Sequence, residues 1–267
     1  MREGSGEPPL VPGPGDRFTA ACFPMEGREI FGNLTIVPPV FVRLDGRAFH
    51  RLARGRGLER PFDEGFSRAM AGVSARLLSE SGLSPLFAYT FSDEISLFFP
   101  DLPFRGRVEK IDSVLASFAA SCLTIALSAD HPLSFDARVI VASPEYALEY
   151  LAGRQQEAWR NHLNAYCQEA LLSEGMKPSE VARRLSGMRS EELHEFMFSR
   201  GVNLAKTPAW QRRGVLVRRT LKVKPGYDPG SGEPVGAVRR VITIERDLPL
   251  FSTPGGQAFL RGILEGP

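Results

Sequence analysis

The segment AYTFSDEISLFF, residues 88–99, is the most informative part of this sequence. Two apolar runs flank the polar residues Ser92, Asp93 and Glu94, a pattern that predicts a β-hairpin with two adjacent carboxylates at its turn. Neighbouring carboxylates between buried strands repel each other unless a positive charge compensates them. The turn is therefore the first candidate functional site.

The segments on both sides of the hairpin predict a split βαβ arrangement. A strand (40–44) and an amphipathic helix (62–82) precede the hairpin, and a helix (108–127) and a strand (135–142) follow it. The resulting β-α-β-β-α-β order is the ferredoxin-like pattern. We expect an α+β fold, an antiparallel sheet with helices on one face.

The C-terminal half predicts a helical segment at 144–201, followed by a β-hairpin with strands at 214–223 and 237–246. The N-terminal residues are rich in Pro and Gly and lack the apolar core of a signal peptide. The predicted parts are a disordered tail (1–24), a catalytic domain (25–143), and a helical and hairpin region packed on it (144–267).

Composition excludes several classes of protein. The 267 residues are 43% hydrophobic with a net charge of +2, which fits a globular protein with a full core and gives no global field toward nucleic acid. Three dispersed cysteines and four scattered histidines form neither a disulfide framework nor a zinc motif. No apolar run reaches the length of a membrane span. A reducing, cytoplasmic setting is expected.

The topology predicts that a third carboxylate joins the turn. In a split βαβ sheet the first and third strands are antiparallel neighbours, so Asp45, at the end of VFVRL, comes beside Asp93 and Glu94. Hard oxygen ligands without His or Cys suit Mg²⁺, and two ions about 4 Å apart would support in-line attack at phosphorus. Alternatively, Asp45 is a turn or N-cap residue and Ser-Asp-Glu a polar turn.

The sequence around Asp45 also indicates phosphate chemistry. Gly46 permits close backbone approach, and the amides of residues 47–50 would open a helix, which is a natural anion site. Arg43 and Arg47 bracket this segment, although both could be solvated surface charges. Arg107 and Lys110 form a second basic cluster, for which salt bridges to Glu109 or Asp112 are the alternative.

Three motifs together resemble one known family. VRLDGRAFHRL (42–52), YTFSDEISLFF (89–99) and FDARV (135–139) are similar to the tRNA-histidine guanylyltransferase family and its prokaryotic tRNA guanylyltransferase-like relatives. The resemblance extends from about Met25 to Gly214. It implies a polymerase-palm-like domain that adds nucleotides to the 5′ end of tRNA, opposite to the direction of ordinary polymerisation.

The resemblance also implies roles for residues. Asp45 and Asp93 would hold two Mg²⁺ ions with the Gly46 carbonyl, and Glu94 would support them as a third catalytic acid. ATP would activate a 5′-monophosphate end, and the 3′-hydroxyl of GTP or another nucleotide would then attack it. The implied nucleotide contacts are Arg43, Gly46, Arg47, Ala48, Phe49, His50, Arg60, Ser92, Arg107, Lys110 and Asn203.

Two departures bear on the substrate. Arg60 stands where the family commonly has Lys, and Trp159, Arg160, Asn161 and His162 stand where the eukaryotic enzymes carry His-Ile-Asn-Asn. Arg160 and Asn161 are the expected RNA contacts in this helix. The departures favour the branch that repairs truncated 5′ ends using the opposite tRNA strand as template. The family also implies a homotetramer, a dimer of dimers.

A basic stripe in the C-terminal hairpin suggests an RNA partner. Residues 206–240 contain nine Lys or Arg against two acids, and Arg212, Arg213, Arg218 and Arg219 are the expected phosphate contacts. A sheet edge protected by charge would look the same. Two other functions stay open: a nucleotide cyclase-like palm enzyme and a catalytically silent RNA-binding protein. The intact acids argue against the silent protein, and the helical insertion argues against the cyclase.

Overall fold

The computed structural model describes residues 30–227, 230, 232 and 234–266, except the side chains of residues 50, 51, 54, 234 and 235. The predicted tail, 1–24, lies outside the described residues. The chain separates into two units, Met1–Asn33 and Leu34–Pro267. Residues 30–33 form a turn, and the following description concerns the second unit.

Six strands form one antiparallel sheet in the order β4-β1-β3-β2-β5-β6. The strands are β1 (Val40–Gly46), β2 (Phe87–Phe91), β3 (Glu94–Phe99), β4 (Phe135–Val141), β5 (Val215–Tyr227) and β6 (Pro234–Glu245). The first four have the spatial order 4-1-3-2, which confirms the predicted ferredoxin-like arrangement.

Eight α-helices accompany the sheet in the described residues. They are α1 (Phe49–Gly55), α2 (Glu64–Ser79), α3 (Val108–Ala126), α4 (Pro144–Ser173), α5 (Pro178–Leu185), α6 (Ser190–Phe198), α7 (Ala209–Arg213) and α8 (Pro254–Leu264). Helix α8 was not predicted. Within the described residues, none of the helices is long and apolar enough to cross a membrane.

Alternation along β1 divides the core between the two faces of the sheet. Val42 and Leu44 face α2 and α3 and belong to one buried cluster. Phe41 belongs to a second cluster, with Leu151 of α4 and Leu260 of α8. The predicted placement of helices on one face therefore holds for α2 and α3, while the helical segment covers the opposite face through α4.

The second half of α4 leaves the sheet and forms a helical lobe with α5 and α6. Its buried residues include Leu163 and Cys167 of α4, Val181 of α5 and Leu193 of α6. Helix α4 has 30 residues, about 45 Å at 1.5 Å per residue. One continuous helix therefore connects the sheet to the lobe.

The C-terminal hairpin continues the central sheet and then extends beyond it. Only Val215–Arg218 of β5 pairs with β2, whereas β5 and β6 pair with each other along their whole length. The sheet thus runs across the predicted boundary at residue 143. Past Arg218 the two strands form a ribbon that includes the paired, exposed residues Val223 and Val238.

Candidate active site

The predicted carboxylates meet at one end of the sheet. Asp45 of β1 lies opposite Glu94 of β3 in the antiparallel register. The Gly46 amide donates to the Asp93 carbonyl at 3.1 Å, which joins the end of β1 to the turn between β2 and β3. The Ser92 hydroxyl donates to Asp93 Oδ1 at 3.0 Å. The topology therefore brings Asp45 to Asp93 and Glu94, which follow it nearly fifty residues later in the chain.

Asp93 is a half-buried carboxyl with incomplete charge compensation. Burial raises its pKa, the hydrogen bond from Ser92 lowers it, and the nearby Asp45 raises it. The described residues contain no group of three or more His, Cys, Asp and Glu side chains arranged to hold a metal. Mg²⁺ commonly binds through one or two carboxylates and completes its shell with water and phosphate. Asp45 and Asp93 fit that donor set.

Glu94 forms ion pairs with two arginines. Arg154 of α4 donates from Nε to Oε1 at 2.8 Å and from Nη2 to Oε2 at 2.6 Å. The Arg43 Nε atom lies 3.8 Å from Oε2. Burial raises the pKa of Glu94, while Arg154 and Arg43 lower it. Glu94 thus acts here as a buried anion joining β3 to α4, and Arg154 is a site residue that the sequence did not reveal.

Two further charged residues approach Asp45 from the edge strand β4. Asp136 lies opposite Asp45 in the β1–β4 register. The Arg138 Nη2 atom is 3.6 Å from Asp136 Oδ1 and 4.0 Å from Asp45 Oδ2. Sequence reasoning used FDARV only as a strand and a family motif. The signal that could have found these residues is the β1–β4 pairing, which the split βαβ topology implies.

A cavity of about 980 Å³ opens beside the acids and extends to the helical lobe. Its lining combines the end of β1, the hairpin turn, the loop before α2, and α4. It includes the predicted metal ligand Asp93 and, among the predicted nucleotide and RNA contacts, Gly46, Ala48, Phe49, Arg60, Ser92 and Asn161. The Arg60 guanidinium is 3.9 Å from Glu169 of α4.

The predicted phosphate cradle is only partly available. The amides of Gly46 and Arg47 donate to the carbonyls of Asp93 and Ser134, at 3.1 and 2.9 Å. Ala48 has a φ of 59°, a left-handed conformation that turns the chain into the short α1. The amides available for an anion therefore begin at Ala48 rather than at Arg47. The side chain of His50 lies outside the described residues.

The structure does not bring Arg107 and Lys110 to the acids. Arg107 bridges to Thr35, ahead of β1, and Lys110 is exposed on the first turns of α3. β1 has seven residues, so the two ends of the sheet are about 20 Å apart. Because α3 follows β3, it begins at the sheet end opposite the carboxylates. The predicted contact of both residues with a triphosphate at this site is not supported.

Asn203 and Arg160 also lie outside the cavity lining described above. The Asn203 amide oxygen accepts a hydrogen bond from the Ala205 amide at 3.0 Å, capping a short 3₁₀ turn of the helical lobe. Arg160 is exposed on α4 and lines a separate cavity of about 390 Å³ with Trp159. Of the two RNA contacts predicted in α4, only Asn161 lines the larger cavity.

The four predicted RNA-binding arginines of the hairpin region each have an intramolecular partner. Arg212 Nε donates to the Thr207 carbonyl at 2.8 Å, and Arg213 Nη1 to the Leu248 carbonyl at 2.6 Å. Arg218 Nε pairs with Glu245 Oε1 at 2.6 Å. Arg219 donates to the Pro85 and Leu78 carbonyls. All four are half-buried, so each guanidinium is partly engaged within the protein, and RNA binding by these four residues stays a prediction.

Comparison with known proteins identifies the family. The family model described as tRNAHis guanylyltransferase matches residues 28–143. The probable tRNA(His) guanylyltransferase of Mus musculus is 31% identical over 232 residues, covering 78% of this chain and 77% of the mouse protein. The tRNA(His) guanylyltransferase 1 of Arabidopsis thaliana is 30% identical over 230 residues, 82% of this chain, which spans only 39% of that longer protein.

Solved structures share the fold. A bacterial tRNA(His) guanylyltransferase-like protein in complex with ATP superposes with a TM-score of 0.71 at 20% identity, covering 90% of this chain and 96% of the other. The Saccharomyces cerevisiae tRNA(His) guanylyltransferase gives a TM-score of 0.64 at 24% identity, over 73% of this chain and 92% of the yeast chain.

The fold and the strand-end acids define a palm-like protein. More specifically, this chain belongs to the tRNAHis guanylyltransferase family.

Proposed function

We propose that this protein is a Mg²⁺-dependent nucleotidyltransferase that adds nucleotides in the 3′–5′ direction to the 5′ end of tRNA. One observation carries the proposal: the oxygen-only pair Asp45 and Asp93 lies at neighbouring strand ends joined by the Gly46 hydrogen bond, and Gly46 and Asp93 line a large cavity. Family membership supports the class of reaction. The carboxylates would bind two Mg²⁺ ions, which supply charge neutralisation and activate the attacking hydroxyl.

The reaction has two group transfers. The 5′-monophosphate of tRNA attacks the α-phosphorus of ATP, giving an adenylylated end and releasing pyrophosphate. The 3′-hydroxyl of the incoming GTP or other nucleotide then attacks the 5′ phosphorus, forming the new phosphodiester and releasing AMP. A solved bacterial relative carries GTP and another structure carries ATP, which supports both nucleotides as substrates here.

The protein groups have separate tasks in this proposal. Asp45 and Asp93 would hold the Mg²⁺ ions, which would neutralise the charge of the reacting phosphates, and Ser92 orients Asp93 through its hydrogen bond. Phe49 and Arg60 line the cavity that would receive a nucleotide. Glu94 keeps Arg154 and Arg43 in place behind the acids.

The tRNA substrate requires a basic surface, and the hairpin ribbon offers one. Lys222, Lys224, Arg239 and Arg240 are exposed, and Lys222 lies directly opposite Arg239. A tRNA backbone bound there would contact the ribbon while its 5′ end reaches the acids. The proposal also includes templated repair of truncated ends, a homotetrameric assembly and a cytoplasmic location. The buried, free cysteines Cys122 and Cys167 agree with a reducing compartment.

An end-labelling assay tests the proposal. Histidine tRNA and a second tRNA lacking its first nucleotide, both 5′-monophosphorylated, are incubated with ATP, GTP and Mg²⁺. Extension of the truncated tRNA with the base dictated by the opposite strand supports templated repair, and extension of histidine tRNA alone supports the guanylyltransferase activity. Asp45→Asn and Asp93→Asn should each abolish extension. Consumption of free nucleotide without extension of either RNA would instead support a cyclase-like enzyme.

A further inference from the structure

A half-exposed arginine on the edge strand interacts with a carboxylate that would hold the metal. The Arg138 side chain is 56% exposed and lies 4.0 Å from Asp45 Oδ2. Arg138 has a second acidic partner: its Nη2 atom is 3.6 Å from Oδ1 of Asp136, whose side chain is 47% exposed. Both distances exceed an ordinary hydrogen bond, so the guanidinium is shared by two acids without being fixed by either.

The other two arginines on this sheet face are held differently. Arg154 makes two hydrogen bonds to the buried Glu94, and Arg43 is directed to the same carboxylate. Arg43 also lies opposite Arg138 in the β1–β4 register, so the two positive side chains repel on the same face. Among these three arginines, Arg138 is therefore the one free to move toward Asp45.

We propose that Arg138 and Asp136 control the access of the divalent cation to Asp45. Asp136 holds the guanidinium of Arg138, which otherwise neutralises Asp45 and competes with the cation for its oxygen. Asp136 is thus a positioning residue that keeps a metal-binding carboxylate available. This inference rests on the proposed function, because it takes Asp45 as a ligand of the catalytic ion.

The proposal gives opposite effects for two neighbouring substitutions. Arg138→Met removes the competing cation, so divalent binding should tighten. Asp136→Asn releases Arg138 to Asp45, so divalent binding should weaken. Each change should be about two- to fivefold in dissociation constant, the range of a half-exposed ion pair. A purely structural role for these residues would weaken binding in both variants.

The measurement is Mn²⁺ binding to the full-length protein without nucleotide, followed by the electron paramagnetic resonance signal of free Mn²⁺. Asp93→Asn first establishes that the ion occupies this site. The double variant Asp136→Asn/Arg138→Met should bind like Arg138→Met alone, because Asp136 acts only through Arg138. Arg68→Met is the matched control, since it removes another exposed arginine that pairs with Glu64 at 2.9 Å, and it should leave binding unchanged.

The outcomes separate two failures. If Asp93→Asn leaves Mn²⁺ binding unchanged, or no Mn²⁺ binds, the metal site of the proposed function is wrong and the inference falls with it. If Asp93→Asn abolishes binding but Arg138→Met does not tighten it, only the control by Arg138 is wrong. If Asp136→Asn weakens binding equally in the Arg138→Met background, Asp136 is a direct ligand and the inference is overturned. Thermal unfolding of each variant confirms that it is folded.

Discussion

Glu94 and Arg154 form a two-point ion pair that joins the strand-end acids to helix α4. The pair is partly buried, with hydrogen bonds of 2.8 and 2.6 Å between the two side chains. The same helix continues into the lobe and lines the cavity through Asn161. The relative position of the acids and the cavity wall therefore depends on this contact.

The ion pair predicts a non-additive effect on stability. Arg154→Met leaves the carboxylate of Glu94 buried with only Arg43 nearby, and we expect a loss of about 3–5 kcal/mol in the free energy of unfolding. Glu94→Gln in the same background removes the buried charge, so the double variant should recover part of that loss. Denaturant unfolding of both single variants and the double variant measures the coupling.

Equal, additive losses in that cycle would contradict the assignment of Glu94 as an arginine-compensated anion. Arg200→Met is a suitable control, because Arg200 pairs with Glu174 at 2.9 Å on the more exposed lobe surface. An exposed pair of this kind contributes at most about 1 kcal/mol.

Gly46 predicts a second, local effect. A Cβ atom at this position would lie 2.7 Å from ring carbons of Phe49 and 3.0 Å from the Cβ of Asp93. Gly46→Ala should therefore displace the Asp93 turn, lower nucleotide addition at least tenfold and cost about 1–3 kcal/mol of stability through overpacking. End-labelling rates and chemical denaturation measure the two effects.

Gly55→Ala is the matched control for this substitution, because a Cβ atom added at Gly55 would meet no other atom within 4 Å. Retention of full activity in Gly46→Ala would show that Asp93 tolerates displacement and would contradict a tightly positioned ligand.

Local pattern and topology together were sufficient to predict the meeting of Asp45, Asp93 and Glu94. Strand periodicity located the strand ends, and the split βαβ order placed them side by side. The partner of Glu94 was not predictable in this way, because Arg154 lies 60 residues away on a helix whose rotation depends on tertiary packing. The position of Arg107 could have been corrected from the sequence, since a helix that follows β3 starts at the far end of the sheet.

The basic stripe is a second case in which tertiary packing, not local sequence, determines the role of a charged residue. Charge counting treats Arg218 and Lys222 alike, yet Arg218 pairs with Glu245 and Lys222 is exposed on the ribbon. The distinction depends on where β5 leaves β2, which no local pattern specifies.

That distinction leads to the third prediction. The triple variant Lys222→Glu/Lys224→Glu/Arg239→Glu should weaken tRNA binding at least tenfold and reduce its salt dependence, because each exposed cation lost removes a potential phosphate contact. Its melting temperature should stay within a few degrees of the unaltered protein. Filter binding at several salt concentrations and thermal unfolding measure both properties.

Arg219→Ala is the contrasting variant. Because Arg219 donates to main-chain carbonyls of Pro85 and Leu78, its loss should lower the melting temperature while leaving tRNA affinity within about twofold. The opposite result would be weak tRNA binding by a stably folded Arg219→Ala variant, with normal binding by the triple variant. It would indicate that the half-buried arginines, not the exposed ribbon residues, contact the RNA.

The fourth prediction concerns His162, a buried histidine in α4. Its Nε2 atom is 3.0 Å from the Thr207 hydroxyl, and its ring stacks on Phe62 at 5.4 Å. Burial, helped by the charge of Arg212, lowers the pKa of His162 from 6.5 to about 4. Between those values the unfolded chain binds a proton that the folded protein does not, so stability falls as the pH falls from 6.5 to 4.

This single histidine should account for a loss of roughly 3 kcal/mol across that interval. His162→Gln should remove this part of the pH dependence even if it lowers stability at neutral pH. The measurement is the free energy of unfolding by denaturant at pH 7, 6, 5 and 4, compared between the unaltered protein and the variant. If the free energy of unfolding of His162→Gln had the same pH dependence as that of the unaltered protein, the folded protein would protonate His162 as readily as the unfolded chain does. The assignment of His162 as a buried neutral histidine would then be wrong.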